Sequence, residues 1–175
     1  VAASGKGVLK STDRGATWAP AMTGLNANML ITSIANDPSG PDVFYAGTSD
    51  GVYKTVTGGT GENAWAKQTI GLVNGLATAV AIDPVKTQTV YAGILGNGLF
   101  WSTNGGNNWQ RRNAGLPPGA DISAIAISRT NPATVYVLAG RPGQTEYRIY
   151  KSENNGSSWD DNVTAALEGN LQSIV

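Results

Sequence analysis

The sequence predicts an all-β fold, a β-propeller of four-stranded antiparallel blades. Three observations predict it. A short phrase recurs at Ser11, Thr55, Ser102 and Ser152, positions 44, 47 and 50 residues apart, which is the period of a repeat array. Apolar segments of period two recur in phase with it. The chain carries 23 Gly in 175 residues, about twice the usual share, which suits many short strands joined by tight turns.

Each unit reads as strands A to D. The A strands are Ile31 to Ala35, Ala77 to Ile82 and Ile122 to Ile127, small and β-branched residues that pack closely on both faces. Asp37-Pro38, Asp83-Pro84 and Asn131-Pro132 mark the next turn. The B strands are Val43 to Gly47, Val90 to Gly93 and Val135 to Gly140. The C strands are Gly51 to Lys54, Gly98 to Trp101 and Arg148 to Lys151, each leading into the recurring phrase. The tryptophan of that phrase opens strand D, and Gly24-Leu25, Gly71-Leu72, Gly115-Leu116 or the variant Ala166-Leu167 ends the unit. A lone four-stranded sheet cannot bury both faces, and radial packing of several does.

The phrase has a mechanical reading. Its clearest copy holds Ser11, Asp13, Gly15 and Trp18. Ser102, Asn104, Gly106 and Trp109 repeat it, as do Ser152, Asn154, Gly156 and Trp159, while Thr55, Gly59 and Trp65 form a worn copy. The hydroxyl and Asp or Asn oxygens accept backbone N–H groups of the turn, and glycine supplies positive φ. The tryptophans are expected to pack back beneath their hairpins. A calcium loop is the weaker reading, because each copy has at most two acidic side chains and no bidentate Glu follows.

The pattern Ser-x-Asp-x-Gly-x-x-Trp resembles the Asp-box, or BNR, repeat of sialidases, xyloglucanase-type glycoside hydrolases, sortilin-type receptors and photosystem II assembly factors. The resemblance covers nearly the whole chain. It implies a propeller and is almost silent on activity, since that group spans enzymes and binders. Residues 1–25 then form a partial blade, 26–72, 73–116 and 117–167 are blades, and 168–175 is the first strand of the next or closing blade. About four blades' worth of chain is present. If the last strand joins the opening B–C–D strands, one blade is stitched from both termini. The alternatives are a stretch of a longer propeller, or an assembly.

Twelve basic and twelve acidic residues cancel, so no basic field attracts nucleic acid. No apolar run is long enough to cross a membrane. With no Cys and no His, disulfides, thiolate or imidazole metal sites and His-dependent nucleophiles are excluded. No metal and no cofactor is expected.

In such a ring the A–B and C–D turns share one face, assigned to scaffolding. A site belongs on the opposite face, formed by D–A and B–C loops. The conspicuous departure there is an inserted B–C loop, whose Arg141, Gln144, Glu146 and Tyr147 suit hydrogen bonding to a sugar or peptide. The D–A loops add Asn26, Asn28, Met29, Asn74 and Asn170. Trp101 stands where sister repeats have Lys10, Lys54 and Lys151, and reads as filler between blades. Arg111 and Arg112 read as charges on an exposed rim.

The primary expectation is a non-catalytic binding or assembly propeller outside the cytoplasm, engaging protein or carbohydrate, with self-association or further blades as other partners. The alternatives are a segment of a xyloglucanase-like or sialidase-like glycoside hydrolase and a purely structural unit. Glycoside hydrolysis would draw its carboxyl pair from Asp50, Asp121, Glu146 and Glu168. The sialidase motif Arg-Ile-Pro does not occur.

Overall fold

A computed structural model describes residues 2–4 and 7–161. The closing strand expected at 168–175, Ala166-Leu167, Glu168 and Asn170 lie outside the described residues. The described chain is a run of propeller blades, and every named strand pairing is antiparallel.

The first sheet holds β1 (Ala2–Ser4), β2 (Gly7–Lys10) and β3 (Ala19–Pro20). The second holds β4 (Ile31–Asn36), β5 (Phe44–Thr48), β6 (Gly51–Thr55) and β7 (Trp65–Lys67). The third holds β8 (Ala77–Ile82), β9 (Val90–Ile94), β10 (Gly98–Ser102) and β11 (Gln110–Arg111). The fourth holds β12 (Asp121–Ile127), β13 (Val135–Gly140) and β14 (Tyr147–Ser152), with a single Lys151–Asp160 bridge where strand D would run. Strand D starts on the tryptophan only in the second blade; elsewhere it starts one residue later, because the turn ends there.

The inner strands set the packing order. β4 packs on β8, and β8 on β12. β4, β8 and β12 are each bulged near their start, at Thr32, Thr78 and Ser123. The bulge turns the hydroxyl out of the ladder. Thr32 donates to Ala77 O and Thr78 to Ile122 O, so each hydroxyl clips its strand to the next blade's inner strand. Ser123 turns back to Leu138 O in its own sheet. Gly93 faces the same place, where a Cβ would sit 2.7 Å from Ile122 Cβ.

The recurring turn forms as its chemistry requires. Ser11, Thr55, Ser102 and Ser152 hydroxyls accept the N–H of Gly15, Gly59, Gly106 and Gly156 at 2.7, 3.0, 2.9 and 2.8 Å. Asp13, Asn104 and Asn154 accept the N–H four residues on at 2.9 Å. Thr57 has no side-chain carbonyl oxygen to do this, and its hydroxyl donates to Thr60 O across the widened turn. Gly58, Gly105 and Asn155 N–H groups bond the A–B turns at Asp42, Gln88 and Ala133, which puts both turn types on one face.

The tryptophans of these turns fasten each blade to the one before it. Trp65 N–H bonds Thr23 O and its indole bonds Ala21 O at 2.8 Å. Trp159 repeats this on Ala114 O and, at 2.7 Å, on Arg112 O. Trp109 N–H bonds Ile70 O. Beside these bonds Gly24, Gly71 and Gly115 have positive φ, and a Cβ there would overlap the next tryptophan's backbone. Trp65, Trp109 and Trp159 are buried.

Trp18 corrects the expectation for all four. It is 47% exposed, and its indole folds back onto Gly15 O at 3.1 Å. The other three are covered by the preceding blade, and among the described residues no blade lies before the first sheet.

Arg112 is also not a simple rim charge. Its guanidinium lies 3.9 Å from the Trp101 ring centre and bonds Ser157 of the next blade at 2.6 Å. Trp101 and Arg112 together fill the third seam, taking the place that Lys54 has in the second.

Trp109→Ala removes a fully packed seam residue and is expected to cost about 3–5 kcal/mol. Trp18→Ala is expected to cost about 1 kcal/mol or less. Urea unfolding of the two variants checks this, and equal losses would contradict the seam role.

Candidate functional site

The face opposite the recurring turns carries a groove that repeats with the blades. It lies between the D–A loop entering a blade and that blade's B–C loop. Its contents differ in each copy.

In the second blade the groove is a cavity of about 360 Å³ lined by Asn26, Asn28, Met29, Asp50 and Tyr53. Asp50 is pinned there. Lys67 Nζ pairs with Oδ1 at 2.8 Å, and the Tyr53 hydroxyl donates to Oδ2 at 2.9 Å. The Lys67 hydrogen bond, then that of Tyr53, hold the Asp50 carboxyl below its ordinary range. Burial, and then Asp50, push the Tyr53 phenol up to about 12. A carboxylate stabilised in this way is a poor proton donor near neutrality.

In the third blade the groove is occupied by its own side chain. Asn113 accepts Leu99 N–H at 2.8 Å and donates to Asn97 O at 2.9 Å. It lies directly on Gly98, whose φ is 80° and whose missing Cβ leaves the room. Arg111 bonds Asn97 Oδ1 at 3.2 Å, the counterpart of the Lys67–Asp50 pair.

In the fourth blade the groove opens into a cavity of about 570 Å³. Arg141, Gln144 and Glu146 of the inserted loop line it, with Arg148, Tyr150 and Asp161. Gln144 N–H bonds Arg141 O at 3.1 Å, so the loop is a tight turn that presents its side chains outward. Burial, then the Asp161 charge, raise the Tyr150 phenol, while Arg148 and Arg141 oppose that shift. The charge order is the reverse of that in the sister blades. Where Lys67 and Arg111 stand two residues past their tryptophans, this blade has Asp161, and the cations sit on the B–C side.

The structure therefore brings Arg141, Gln144 and Glu146 to one cavity. Tyr147 is only half-buried and begins β14 opposite Gly140, outside the lining. Asp121 is buried and accepts Gly96 N–H at 2.7 Å, fastening the third blade's B–C loop to the fourth blade. Asp50 belongs to the second blade's groove, and Asn74 lines neither cavity. Arg148, Tyr150, Asp160 and Asp161 are lining residues that sequence reasoning missed. The Asp160-Asp161 pair after Trp159, where sister repeats read Ala66-Lys67 and Gln110-Arg111, was the signal that could have found them. Among the described residues no group of three His, Cys, Asp or Glu could hold a metal ion, and no helix is long and apolar enough to cross a membrane.

No protein-family profile matches the chain. It is 28% identical over 163 residues to a protein of Neosartorya fischeri described as a probable oligoxyloglucan-reducing end-specific xyloglucanase, covering 90% of this chain and 19% of that one. An oligoxyloglucan-reducing end-specific xyloglucanase of Emericella nidulans is 28% identical over 164 residues, covering 82% and 19%. The chain thus spans about a fifth of the length of these relatives. Among solved structures, an ancestral GH74 enzyme superposes with a TM-score of 0.64 at 26% identity, over 74% of this chain and 18% of that one. The GH74 enzyme of Niastella koreensis gives 0.67 at 23%, over 87% and 25%. YCF48 bound to D1 peptide gives 0.62 at 17%, over 94% and 50%. The last two likenesses support the propeller fold alone.

The pinned Asp50 carboxylate yields a titration test. Its carboxyl carbon should titrate below the ordinary 3.8 in the native chain and move upward in Lys67→Met. The sign follows from the lowered value. Any stability the pair adds is complete above about pH 4 and lost as pH falls through the lowered pKa. A midpoint unmoved by Lys67→Met, read by NMR, would show that the pair does not hold the charge.

Proposed function

We propose that this chain is a substrate-binding propeller segment of a xyloglucanase-type glycoside hydrolase, acting outside the cytoplasm. Its recurring turns are read as Asp boxes, and the fourth-blade groove is the sugar-binding site. The single observation that carries this reading is the open, polar fourth-blade cavity on a chain 28% identical to two xyloglucanases. This replaces the primary expectation of a non-catalytic binding or assembly propeller, because the sequence likeness favours the hydrolase-segment alternative.

Arg141, Arg148 and Gln144 donate hydrogen bonds, and Glu146 accepts them. Tyr150 and the edge of Trp159 supply apolar wall, a combination that suits sugar hydroxyls over a ring face. Hydrolysis needs two carboxyl groups about 5–10 Å apart, one able to give a proton. Asp50 and Asp121 are both committed to structural hydrogen bonds, while Glu146 remains at the open cavity and is here given the binding role. The chain is read as binding and scaffolding, with the cutting pair completed by other parts of such an enzyme. The rival protein-binding reading has the YCF48 likeness behind it, which is one of fold.

Calorimetric titration with xyloglucan oligosaccharides tests the proposal. Binding by the native chain that weakens about tenfold or more in Arg141→Ala or Glu146→Gln is the expected result. No binding, or binding indifferent to both changes, overturns it. The native chain is expected to release no reducing ends from xyloglucan by itself, and release abolished by Glu146→Gln would make the groove catalytic instead.

A further inference from the structure

We propose that Asn74 is the site of spontaneous deamidation in this chain, a modification that adds a carboxylate beside the second-blade groove.

The sequence holds four Asn-Gly pairs, beginning at Asn74, Asn97, Asn104 and Asn155. Such a pair can react with itself. The backbone nitrogen of the glycine attacks the asparagine Cγ, and no side chain on the glycine screens the approach. The new C–N bond closes a five-membered imide. The amide nitrogen leaves as ammonia, taking up the proton that the glycine nitrogen gives up. Water then adds to one imide carbonyl and opens the ring, leaving aspartate or isoaspartate. This self-reaction makes asparagine a thermolabile residue. A hydrogen bond that holds the glycine N–H opposes the attack, and so does a fixed side-chain amide.

Three of the pairs are restrained in this way. Gly98 N–H donates to Ala120 O at 2.9 Å, Gly105 N–H to Gln88 O at 2.8 Å, and Gly156 N–H to the Ser152 hydroxyl at 2.8 Å. All three glycines are buried. The Asn97 amide also donates to Leu95 O and accepts from Arg111, and Asn104 Oδ1 accepts Asn108 N–H. Asn74 has none of this restraint. It is exposed, in the D–A loop that joins the second blade to β8 of the third. Neither its amide nor the Gly75 N–H has a hydrogen-bond partner among the described residues.

The new charge would arise next to a pair already described. A Cβ built on Gly51 would lie 3.5 Å from Lys67 Cε and 3.9 Å from Gly75 O. The Asn74-Gly75 turn and the end of Lys67 therefore meet at the residue that follows Asp50. A carboxylate at position 74 would compete for the Lys67 ammonium and repel Asp50. Both effects favour the protonated form of Asp50.

Peptide mapping by mass spectrometry, with an isoaspartate assay, tests this on the 175-residue chain held in mildly alkaline buffer. In the native chain Asn74 should convert about tenfold or more faster than Asn97, Asn104 or Asn155, and in concentrated urea the four rates should converge. Asn74→Gln should abolish the early isoaspartate, because its longer side chain would have to close a six-membered ring. Asn74→Asp reproduces the charge of the product, and NMR should show the Asp50 midpoint moving upward in it. Another Asn-Gly pair reacting as fast in the native chain overturns the assignment. So does an Asn74 that stays intact in the native chain while the unfolded chain reacts, or a spread of rates that urea leaves unchanged. An Asp50 midpoint unmoved by Asn74→Asp overturns the link to the groove.

Discussion

Each blade is held by a tryptophan that belongs to it and a floor that does not. Trp65 lies on the end of the first blade's strand D, and Trp159 on the third's, with glycine thinning the floor beside them. Burial of an indole, a paired indole N–H and a paired backbone N–H act at one point. The sheets are thin, and their edges and faces are completed only by neighbours. Stability therefore passes along the chain from seam to seam, as expected of a nearest-neighbour array. Trp18 has the same turn around it, and among the described residues nothing lies beneath it as a floor.

The turn and the bulge divide the work. The turn's hydroxyl and Asx oxygens satisfy its own N–H groups, which frees the tryptophan to look outward to the preceding blade. The bulges at Thr32 and Thr78 do the same near the axis, where a side-chain hydroxyl replaces a ladder bond and clips the next inner strand. The outer and inner clips lie at opposite ends of the blade's width and together fix its angle. This leaves the opposite loop face free of structural duty except where a pair such as Lys67–Asp50 or a single Asn113 closes it. In the fourth blade the closing cation is replaced by Asp161 and the loop is longer, so the groove stays open.

The strand order, the shared face of the turns and the four repeats were legible in the sequence. Periodicity and turn chemistry are local, and they act over a few residues. The inserted Arg141–Tyr147 loop was legible as a departure from the repeat, and three of its four flagged residues line the cavity. Asp121 was read as a loop acid and is a buried clamp on Gly96, because its partner lies 25 residues away in another blade. Arg112 was read as a rim charge and is stacked on Trp101 and bonded to Ser157 of the next blade, a partner 45 residues away. Arg148 and Asp161 carried a signal only as a charge order reversed against sister repeats.

By itself the sequence determined that these are antiparallel sheets, and that hydroxyl, Asx and glycine would shape the turn; in the fourth sheet the expected strand D is reduced to a single bridge. Those outcomes depend on φ preferences, alternation and neighbours close along the chain. Only the tertiary structure decided which tryptophan is covered, which carboxylate is engaged and which groove remains open. Each of those depends on what the adjoining blade presents across the seam, and the same recurring turn has opposite burial at Trp18 and Trp109, where only the second has a described blade beneath it.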